Sequence, residues 1–259
     1  MNSIVFIAQV PDTEARIKIA PDGRHIDESG LKFIVSPFDE YALEAAIRLR
    51  EAKQGEVTVV GFGPDRVAQA LRECLARGAT KALHVKGDVF AADSLGIARV
   101  LAAAAKSLPH DVLLFGKQGV GTDNSLVGPM VAEILGYPQI NIVTQFEIGE
   151  GTITAHREIE GAEEIIEASL PAIVTAQKGL NEPRYASLKG IMAAKKIAID
   201  TKTPADLGLQ DSDIYNQRVT VAALELPKEK SGGRKIDGSD AAAAAKEIAR
   251  YIREEAKAL

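Results

Sequence analysis

Residues 111–136 combine the residue types that hold a phosphate group at the end of a strand. An apolar run at residues 112–115 predicts a buried parallel strand, and a glycine-rich turn, a polar cluster and a helical pattern follow it. Glycines let the backbone approach a ligand, and the N–H groups and dipole of a helix N-terminus favour an anion. Since Pro129 is tolerated only in a first turn, the helix is predicted to begin near Ser125 or Leu126. The pattern matches neither GxGxxG nor GxxxxGKS/T, so a phosphate site and a purely structural turn both stay open.

This turn belongs to a chain of alternating strands and helices. Short apolar, β-branched runs predict parallel strands at residues 4–10, 57–60, 82–85 and 112–115. Helical patterns separate them, which indicates βαβ units with right-handed crossovers. Ligands bind such sheets outside the carboxyl ends of the strands. Three of these ends are polar or rich in glycine: residues 9–11, 61–63 and 116–124. Because they converge on one edge of the sheet, they favour a nucleotide site.

The helix after the first strand has a clear N-terminal signal. Ser36 is predicted as its N-cap, Pro37 as its first residue and Asp39 as its capping acid. Gly78 is the predicted C-cap of the next helix, and a hairpin is predicted around residues 21–23. Apolar stripes predict the buried faces of these two helices: Ala42, Leu43, Ala46, Ile47 and Leu49, then Val67, Leu71, Cys74 and Leu75.

The pattern changes after residue 139. Alternation with a period of two predicts antiparallel strands, and an apolar core strand follows: residues 140–148, 152–159, 164–168 and 171–176. The rest is predicted as a loop, a short basic helix, an irregular stretch, a strand and a polar linker: residues 177–187, 188–196, 200–216, 219–226 and 228–238. Ser239 is expected to cap a last helix whose apolar face consists of Ile248, Ile252, Ala256 and Leu259. These elements predict an α/β fold, a three-layer sandwich with a mostly parallel, Rossmann-like sheet, antiparallel strands and a C-terminal helical arm.

The composition argues against several classes of function. With 31 basic and 36 acidic residues among 259, the net charge is −5, so a nucleic-acid partner is not expected. The single cysteine, Cys74, forms no internal disulfide and is expected to be a buried apolar residue. No apolar run reaches the ~18–20 residues of a membrane span, and the first strand begins at Ile4 without a preceding targeting segment. We therefore expect a cytoplasmic protein without membrane insertion.

Residues for metal binding or acid–base catalysis are scattered. The four histidines, His25, His84, His110 and His156, lack the spacing of metal ligands, and GxSxG, HExxH and CxxC are absent. The Ser-Gly-Gly run at residues 231–233 resembles part of the phosphate loop of ATP pyrophosphatases, but the residues after it do not, and it reads as linker. No pair of carboxylates stands out as a general acid and base. We expect a protein that binds or carries rather than a hydrolase.

Residues 180–196, LNEPRYASLKGIMAAKK, resemble the signature LNEPRYA(T/S)LxxIMxAKK of the electron transfer flavoprotein β subunit. Other segments are similar to that family in order and spacing: QVPDT with RIKI, SPFDEYALEAAIRLRE, FGKQGVGTDNSLVGPMVAEILGYP and LPAIVTAQKGLNEPRY. The resemblance runs from about residue 3 to residue 226.

The resemblance implies a carrier subunit. Such a β subunit pairs with an α subunit that holds the redox FAD, and the heterodimer takes electrons from acyl-CoA or other dehydrogenases. It passes them to a quinone oxidoreductase at the membrane. The β subunit itself usually holds a structural AMP, whereas bifurcating members hold a second FAD there and react with NADH. A bacterial member would be cytoplasmic, and a eukaryotic one would lie in the mitochondrial matrix.

The resemblance also implies the nucleotide contacts. The backbone N–H groups of residues 120–125 and 127–128 would hold phosphate, and Phe6 and Phe62 would flank adenine. Leu126 stands where the family typically has a glutamine and Gly121 where it often has an aspartate, so AMP and FAD both stay open. The contacts carried over by motif are Phe6, Ser36, Pro37, Phe38, Asp39, Phe62, Gly116, Lys117, Gln118, Gly119, Val120, Gly121, Thr122, Asp123, Asn124, Ser125, Leu126, Val127 and Gly128.

Leu188 matches the leucine with which the family docks in an apolar pocket of the dehydrogenase. A single apolar side chain on a mobile polar loop makes a compact anchor. The alternative is that Leu188 packs on the first turn of its own helix. Tyr185 and Ile191 would form the supporting surface, and Thr13 stands where some members place a tyrosine near the α-subunit flavin.

Two further interpretations stay open beside this one. The fold could belong to a bifurcating β subunit, or to a stand-alone adenine-nucleotide enzyme or sensor. The resemblance divides the chain into a nucleotide-binding domain with the docking loop, residues 1–226, and a linker with a C-terminal helix, residues 227–259. That last helix is expected to pack on the α subunit.

Overall fold

The computed structural model describes residues 1–227 and 233–258. The strands are β1 (Ser3–Phe6), β2 (Gln9–Pro11), β3 (Phe33–Val35), β4 (Val57–Gly63), β5 (Lys81–Lys86), β6 (Val112–Gly116), β7 (Gln139–Ile148), β8 (Thr152–Ile159), β9 (Ala162–Ser169), β10 (Ala172–Ala176) and β11 (Asp200–Lys202). The α-helices are α1 (Pro37–Lys53), α2 (Val67–Arg77), α3 (Ser94–Lys106), α4 (Val127–Leu135), α5 (Leu188–Ala194), α6 (Asp211–Tyr215) and α7 (Ala241–Arg250). A 3₁₀ turn spans Ala205–Leu207, and a π turn spans Tyr251–Glu255.

The main sheet has nine strands in the order β11-β5-β4-β1-β6-β10-β7-β8-β9. Strands β11 through β7 pair in parallel, and β8 and β9 add an antiparallel edge. Helices α1 and α2 share one apolar core with the sheet, and α3 and α4 share a second core with the sheet. The expected three-layer α/β sandwich is therefore confirmed. The central strands are mostly apolar because helices cover both of their faces: all residues of β1, β4, β6 and β10 are buried, including the polar Ser3, Thr58 and Thr175.

Several local predictions are confirmed. Pro37 opens α1, and Gly78 ends α2 at φ 134°. Helix α4 begins at Val127 with Leu126 as N-cap, which leaves Pro129 in its first turn. The alternating segments after residue 139 form the meander β7-β8-β9, and β10 is the predicted core strand.

The first predicted strand, residues 4–10, is in fact two. Strand β1 ends at Phe6, and β2 pairs instead with β3 in a separate two-stranded sheet. The chain leaves the main sheet because the N–H group of Ala8 bonds the Asp39 carboxylate, 2.7 Å away, rather than a neighbouring strand.

Two smaller corrections apply nearby. Strand β4 continues through residues 61–63, which were predicted as a turn, and the hairpin around residues 21–23 has one β-bridge, Ile19↔Ile26.

The C-terminal predictions need more correction. The stretch 200–216 contains β11, the 3₁₀ turn and α6 and is not irregular, and α5 ends at Ala194. Residues 219–226 form no strand. The N–H group of Val219 bonds the carboxylate of Asp93, and that of Leu224 bonds the carbonyl of Gly23 at 2.8 Å, so neither joins a neighbouring strand. Asp240 rather than Ser239 caps α7, because its carboxylate accepts the N–H groups of residues 242 and 243.

Part of the predicted linker, residues 228–232, lies outside the described residues, as does Leu259 on the predicted apolar face. Residues 233–238 have no regular secondary structure. No residue of α7 is buried, so its apolar side chains are not covered by the described part of the domain. Among the described helices, none is long and apolar enough to cross a membrane.

Candidate functional site

The candidate nucleotide site lies at the centre of the sheet. The chain passes from β1 to β4 and β5 on one side and then returns to β6 on the other. The carboxyl ends of β1 and β6 therefore diverge at the topological switch point, where α/β sheets bind their ligands. The loop of residues 116–126 rises from β6 at this point and leads into the N-terminus of α4.

Asp39 connects the elements of this edge. Its carboxylate accepts the N–H group of Ala8 at 2.7 Å and that of Gly116 at 2.9 Å, so the start of α1 is tied to the segment after β1 and to the end of β6. Asp39 was predicted to cap α1, and that role is wrong, because its side chain points away from the helix terminus to these two partners. Burial raises the pKa of Asp39 to about 7, although both N–H groups favour the charged form.

Gly116 is a glycine because no other residue fits there. A Cβ at this position would lie 2.4 Å from Oδ1 of Asp39 and 2.6 Å from the carbonyl carbon of Phe38. Ser36 occupies the predicted N-cap position, but its side chain makes no capping hydrogen bond. Its hydroxyl is fully buried and has no hydrogen-bond partner among the described residues. A buried polar atom without a partner is costly, so this hydroxyl is suited to a ligand group.

The loop of residues 116–126 is shaped by its own side chains. Gln118 donates to the carboxylate of Asp123 at 2.6 Å and accepts the hydroxyl of Ser125 at 3.1 Å. Asp123 and Ser125 have positive φ values, 47° and 52°, which turn the backbone inward at both positions. Asn124 donates to Ser94 at 3.0 Å, which links the loop to the start of α3. Side-chain hydrogen bonds therefore connect the loop internally and tie it to α3.

The backbone of this loop offers free hydrogen-bond donors. Among the hydrogen bonds of the described residues, none uses the N–H groups of residues 120–122, 124–125 or 127–128. Asp123 and Leu126 are the exceptions within this range. The N–H group of Asp123 bonds the carbonyl of Gly119 at 3.0 Å, and that of Leu126 bonds the Oδ1 atom of Asn124 at 3.3 Å. Free N–H groups at the positive end of α4 favour an anion, and the phosphate site at this loop stays a prediction.

The aromatic residues of the site are less accessible than the sequence suggested. The Phe6 ring stacks on the Phe115 ring, with 4.3 Å between centroids and 16° between planes. Phe6 is only 3% exposed and Phe62 7% exposed, and the Phe62 ring lies against the backbone of Gly87. Both rings thus belong to the core between the sheet and α3 and α4. Leu126, in contrast, lies exposed at the mouth of the loop.

A second candidate site is an apolar surface at α5. Tyr185 and Leu188 are 94% and 84% exposed, and Ile191 and Met192 are also exposed. Leu188 therefore does not pack on its own helix, which was the alternative interpretation. Sequence reasoning missed Met192, although its position one turn after Leu188 places both side chains on one helix face.

The opposite face of α5 is fixed. A Cβ at Gly190 would lie 2.2 Å from the carbonyl oxygen of Ala76 in α2, so the two helices are in close backbone contact there. Ala194 is buried in the core that α1 and α2 share with the sheet. The guanidinium of Arg72 in α2 bonds the carbonyls of Ala194 and Ile197. The Ser187 hydroxyl caps the helix by accepting the N–H group of Gly190 at 3.0 Å. The apolar surface is therefore carried on a rigid support.

Outside these two sites, the histidines and Cys74 form no metal or catalytic cluster in the described part of the chain. Within residues 1–227 and 233–258, no cluster of three or more histidine, cysteine, aspartate or glutamate side chains could hold a metal ion. Buried His84 contacts the carbonyl oxygen of Gly63, 3.0 Å from its Nε2 atom. Burial raises the pKa of the Cys74 thiol, so it is unreactive at neutral pH. Thr13 is exposed near a groove of about 380 Å³ whose lining residues, all within 12–32, include both acids and bases.

Comparison with known proteins agrees with the earlier resemblance. Residues 24–207 match the family described as the electron transfer flavoprotein domain. The chain is 36% identical, over 100% of both lengths, to the electron transfer flavoprotein subunit beta of Bacillus subtilis (strain 168). It is 36% identical to the Mus musculus protein of the same name, over 96% of this chain and 98% of that protein. The protein of that name from Syntrophomonas wolfei is 38% identical, over 92% and 90% of the two chains.

Proposed function

This chain belongs to the electron transfer flavoprotein family as a β subunit, and we propose that it is an electron-carrier subunit without turnover of its own. It would pair with an α subunit that holds FAD, accept electrons from acyl-CoA or other dehydrogenases, and pass them to a quinone oxidoreductase. The observation that carries this proposal is the exposure of Leu188 on a helix whose other face is fixed to α2. An exposed leucine side chain has no polar group to desolvate, so its burial in an apolar pocket favours association.

An adenine nucleotide, AMP, fits the switch point in part. The free N–H groups of residues 120–122 and 127–128 suit a phosphate, and the unpaired hydroxyl of Ser36 suits a polar group of the nucleotide. When bound, AMP supplies negative charge at the N-terminus of α4 and no redox chemistry. The faces of Phe6 and Phe62 are already used inside the core, so these rings would not sandwich the base. The chain's own contribution is to hold the phosphate and exclude water at the end of β6.

The C-terminal segment is proposed as an arm on the α subunit. No residue of α7 is buried, and the side chains of Ile248 on α7 and of Tyr251 at the start of the π turn are exposed. Apolar side chains on an uncovered helix face are expected to be buried by a partner. Residues 1–226 would then form the nucleotide-binding domain, and residues 227–259 the linker and arm.

Substitution of Leu188 tests the docking function. In the purified αβ heterodimer, Leu188→Ala should lower electron transfer from an acyl-CoA dehydrogenase about tenfold or more, with flavin content unchanged. Ile165→Ala is the matched control, because Ile165 is exposed too, on β9 away from α5. Equal transfer rates for the Leu188 variant and the unmodified heterodimer would count against the docking role.

The cofactor content tests the rest of the proposal. Denaturing the heterodimer should release one FAD and one AMP. Two FAD molecules and no AMP would support a bifurcating β subunit with its own NADH site. A stable monomer that turns over ATP and has no affinity for an α subunit would instead support a stand-alone nucleotide enzyme.

A further inference from the structure

The loop before α5 is tied to α1 by one arginine. The guanidinium of Arg184 donates to both carboxylate oxygens of Glu44, at 2.8 and 3.1 Å. It also donates to both oxygens of Glu51, at 2.5 and 2.9 Å. Two forked pairs on one guanidinium fix its plane and its position, which a single point charge would not do. Arg184, Glu44 and Glu51 are called the Arg184 clamp below.

Glu44 is the buried centre of the clamp. Its side chain is 3% exposed, and it also accepts the backbone N–H of Arg184 at 3.2 Å and the Nε atom of Arg48 at 2.7 Å. Burial alone would raise the pKa of Glu44, but the hydrogen bonds from Arg184 and Arg48 outweigh it and hold that pKa below its usual value. Hydrogen bonds from Arg184 likewise lower the pKa of Glu51. The clamp is therefore ionised at neutral pH, and loss of Arg184 would leave the buried Glu44 carboxylate with Arg48 as its remaining charged partner among the described residues.

Further contacts hold the loop along its length. The side chain of Asn181 donates to the carbonyl of Tyr41 at 2.9 Å, and Arg48 reaches the carbonyl of Glu182 at 3.3 Å. The space between α1 and the loop at Pro183 leaves no room for a water molecule. The loop was expected to be mobile, and these contacts correct that expectation. The loop is a well-anchored connection between β10 and α5.

We propose that Arg184 is a positioning residue that presets Leu188 and Tyr185 for docking on the dehydrogenase. The inference rests on the proposed function, since it concerns the same docking surface. Arg184 and Leu188 are four positions apart. The clamp fixes the chain before Leu188, and the contact with α2 fixes α5 after it. An anchor already held in its bound position loses little conformational entropy on docking. The partner is then a protein with an apolar pocket that accepts Leu188 in the position that the clamp and α2 give it.

The test is Arg184→Met in the αβ heterodimer, with an acyl-CoA dehydrogenase and its substrate as the assay. Methionine keeps much of the side-chain length and removes the four hydrogen bonds to the two glutamates. The KM of the dehydrogenase for the heterodimer should rise about tenfold, the size expected when a docking loop must be ordered on binding, and kcat should stay unchanged. Amide hydrogen exchange of residues 181–187 should become faster. Arg184→Lys, which keeps the charge but loses the fork, should give an intermediate KM.

Arg77→Met is the matched control for general stability. Arg77 bonds Glu40 of α1 and Glu73 of α2, both at 2.6 Å. It borders the same space as Pro183 and Arg184 but makes no hydrogen bond to the described loop. Its loss should lower the unfolding temperature and leave the KM for the heterodimer unchanged. If Arg77→Met raises KM as much as Arg184→Met does, the KM effect reports loss of stability and the positioning role is overturned.

A double-mutant cycle with Leu188→Ala separates this inference from the proposed function. If Arg184 acts through Leu188, Arg184→Met should raise KM little further once Leu188 is alanine. Full additivity of the two effects would overturn the inference. A raised KM for Leu188→Ala with an unchanged KM for both Arg184 variants would also overturn it and leave the proposed function standing. An unchanged KM for Leu188→Ala would overturn both.

Discussion

The carboxylate of Asp39 accepts the backbone N–H group of Gly116 at 2.9 Å, and the two residues are 77 positions apart in the chain. This bond joins the first turn of α1 to the end of β6, where the candidate phosphate loop begins. The same carboxylate holds Ala8 after β1. One buried side chain thus sets the spacing between the two strands that flank the switch point.

Gly116→Ala should disrupt this junction. The added methyl group would lie 2.4 Å from Asp39 Oδ1 and 2.6 Å from the carbonyl carbon of Phe38, so α1 or β6 must move. Overpacking of this kind costs about 1–3 kcal/mol of unfolding free energy, measurable by urea denaturation. Gly119→Ala is the control, because a Cβ there meets only Thr122 Oγ1, at 3.4 Å. Equal stabilities for the two variants would contradict the close approach at Gly116.

Asp39 should make stability depend on pH. Burial raises its pKa from 3.8 to about 7, so the folded protein binds this proton more tightly than the unfolded chain. The contribution of Asp39 to stability is therefore largest below about pH 4 and declines as the pH rises towards 7. Asp39→Asn removes the titration, and the unfolding free energy of the unmodified protein relative to this variant should fall between pH 5 and pH 8.

Asp93→Asn provides the opposite control for that titration. Burial alone would raise the pKa of Asp93. Hydrogen bonds from the N–H groups of Gly96, Arg218 and Val219 outweigh that effect, so the pKa is lowered. Its stabilising effect is therefore present above the unfolded pKa and lost only as the pH falls through the lower folded value. The stability difference between the unmodified protein and Asp93→Asn should stay constant from pH 5 to pH 8. If this stability difference changed with pH as steeply as it does for Asp39→Asn, the opposite pKa shifts of the two residues would be refuted.

Ser36→Ala distinguishes a ligand-binding hydroxyl from a structural one. The Ser36 hydroxyl is buried without a partner among the described residues, so removing it from nucleotide-free protein should raise the unfolding free energy by about 1 kcal/mol. If AMP bonds this hydroxyl, the same variant should release less nucleotide on denaturation, as measured by chromatography. An unchanged nucleotide content would exclude the hydroxyl as a contact.

Deletion of residues 239–259 tests the proposed arm. Because no residue of α7 is buried, the deletion should leave the unfolding temperature of the remaining chain nearly unchanged. Affinity for the α subunit should fall, since the apolar side chains of Ile248 and Tyr251 would no longer be covered there. Analytical ultracentrifugation of the heterodimer measures this, and an unaltered dissociation constant would remove the arm from the interface.

Much of the architecture could be predicted because it depends on local patterns. Continuous apolar runs identified the central parallel strands, since those strands are buried on both faces, and period-two alternation identified β7 to β9. The signals of Pro37, Gly78 and Pro129 located helix ends because each acts through its own backbone angles. Local patterns failed at residues 219–226, where the N–H groups of Val219 and Leu224 bond Asp93 and Gly23 instead of a neighbouring strand.

The candidate sites were predictable only in outline. The sequence alone was enough to identify the family, to locate the candidate phosphate loop after β6, and to single out Leu188 as a prominent apolar residue, since these depend on short motifs and their spacing. The tertiary structure decided that Asp39 joins β6 instead of capping α1, that Phe6 stacks on Phe115, and that Arg184 meets Glu44 across 140 positions. Such pairs are set by which strands and helices become neighbours when the chain packs, and no local pattern in the sequence encodes that.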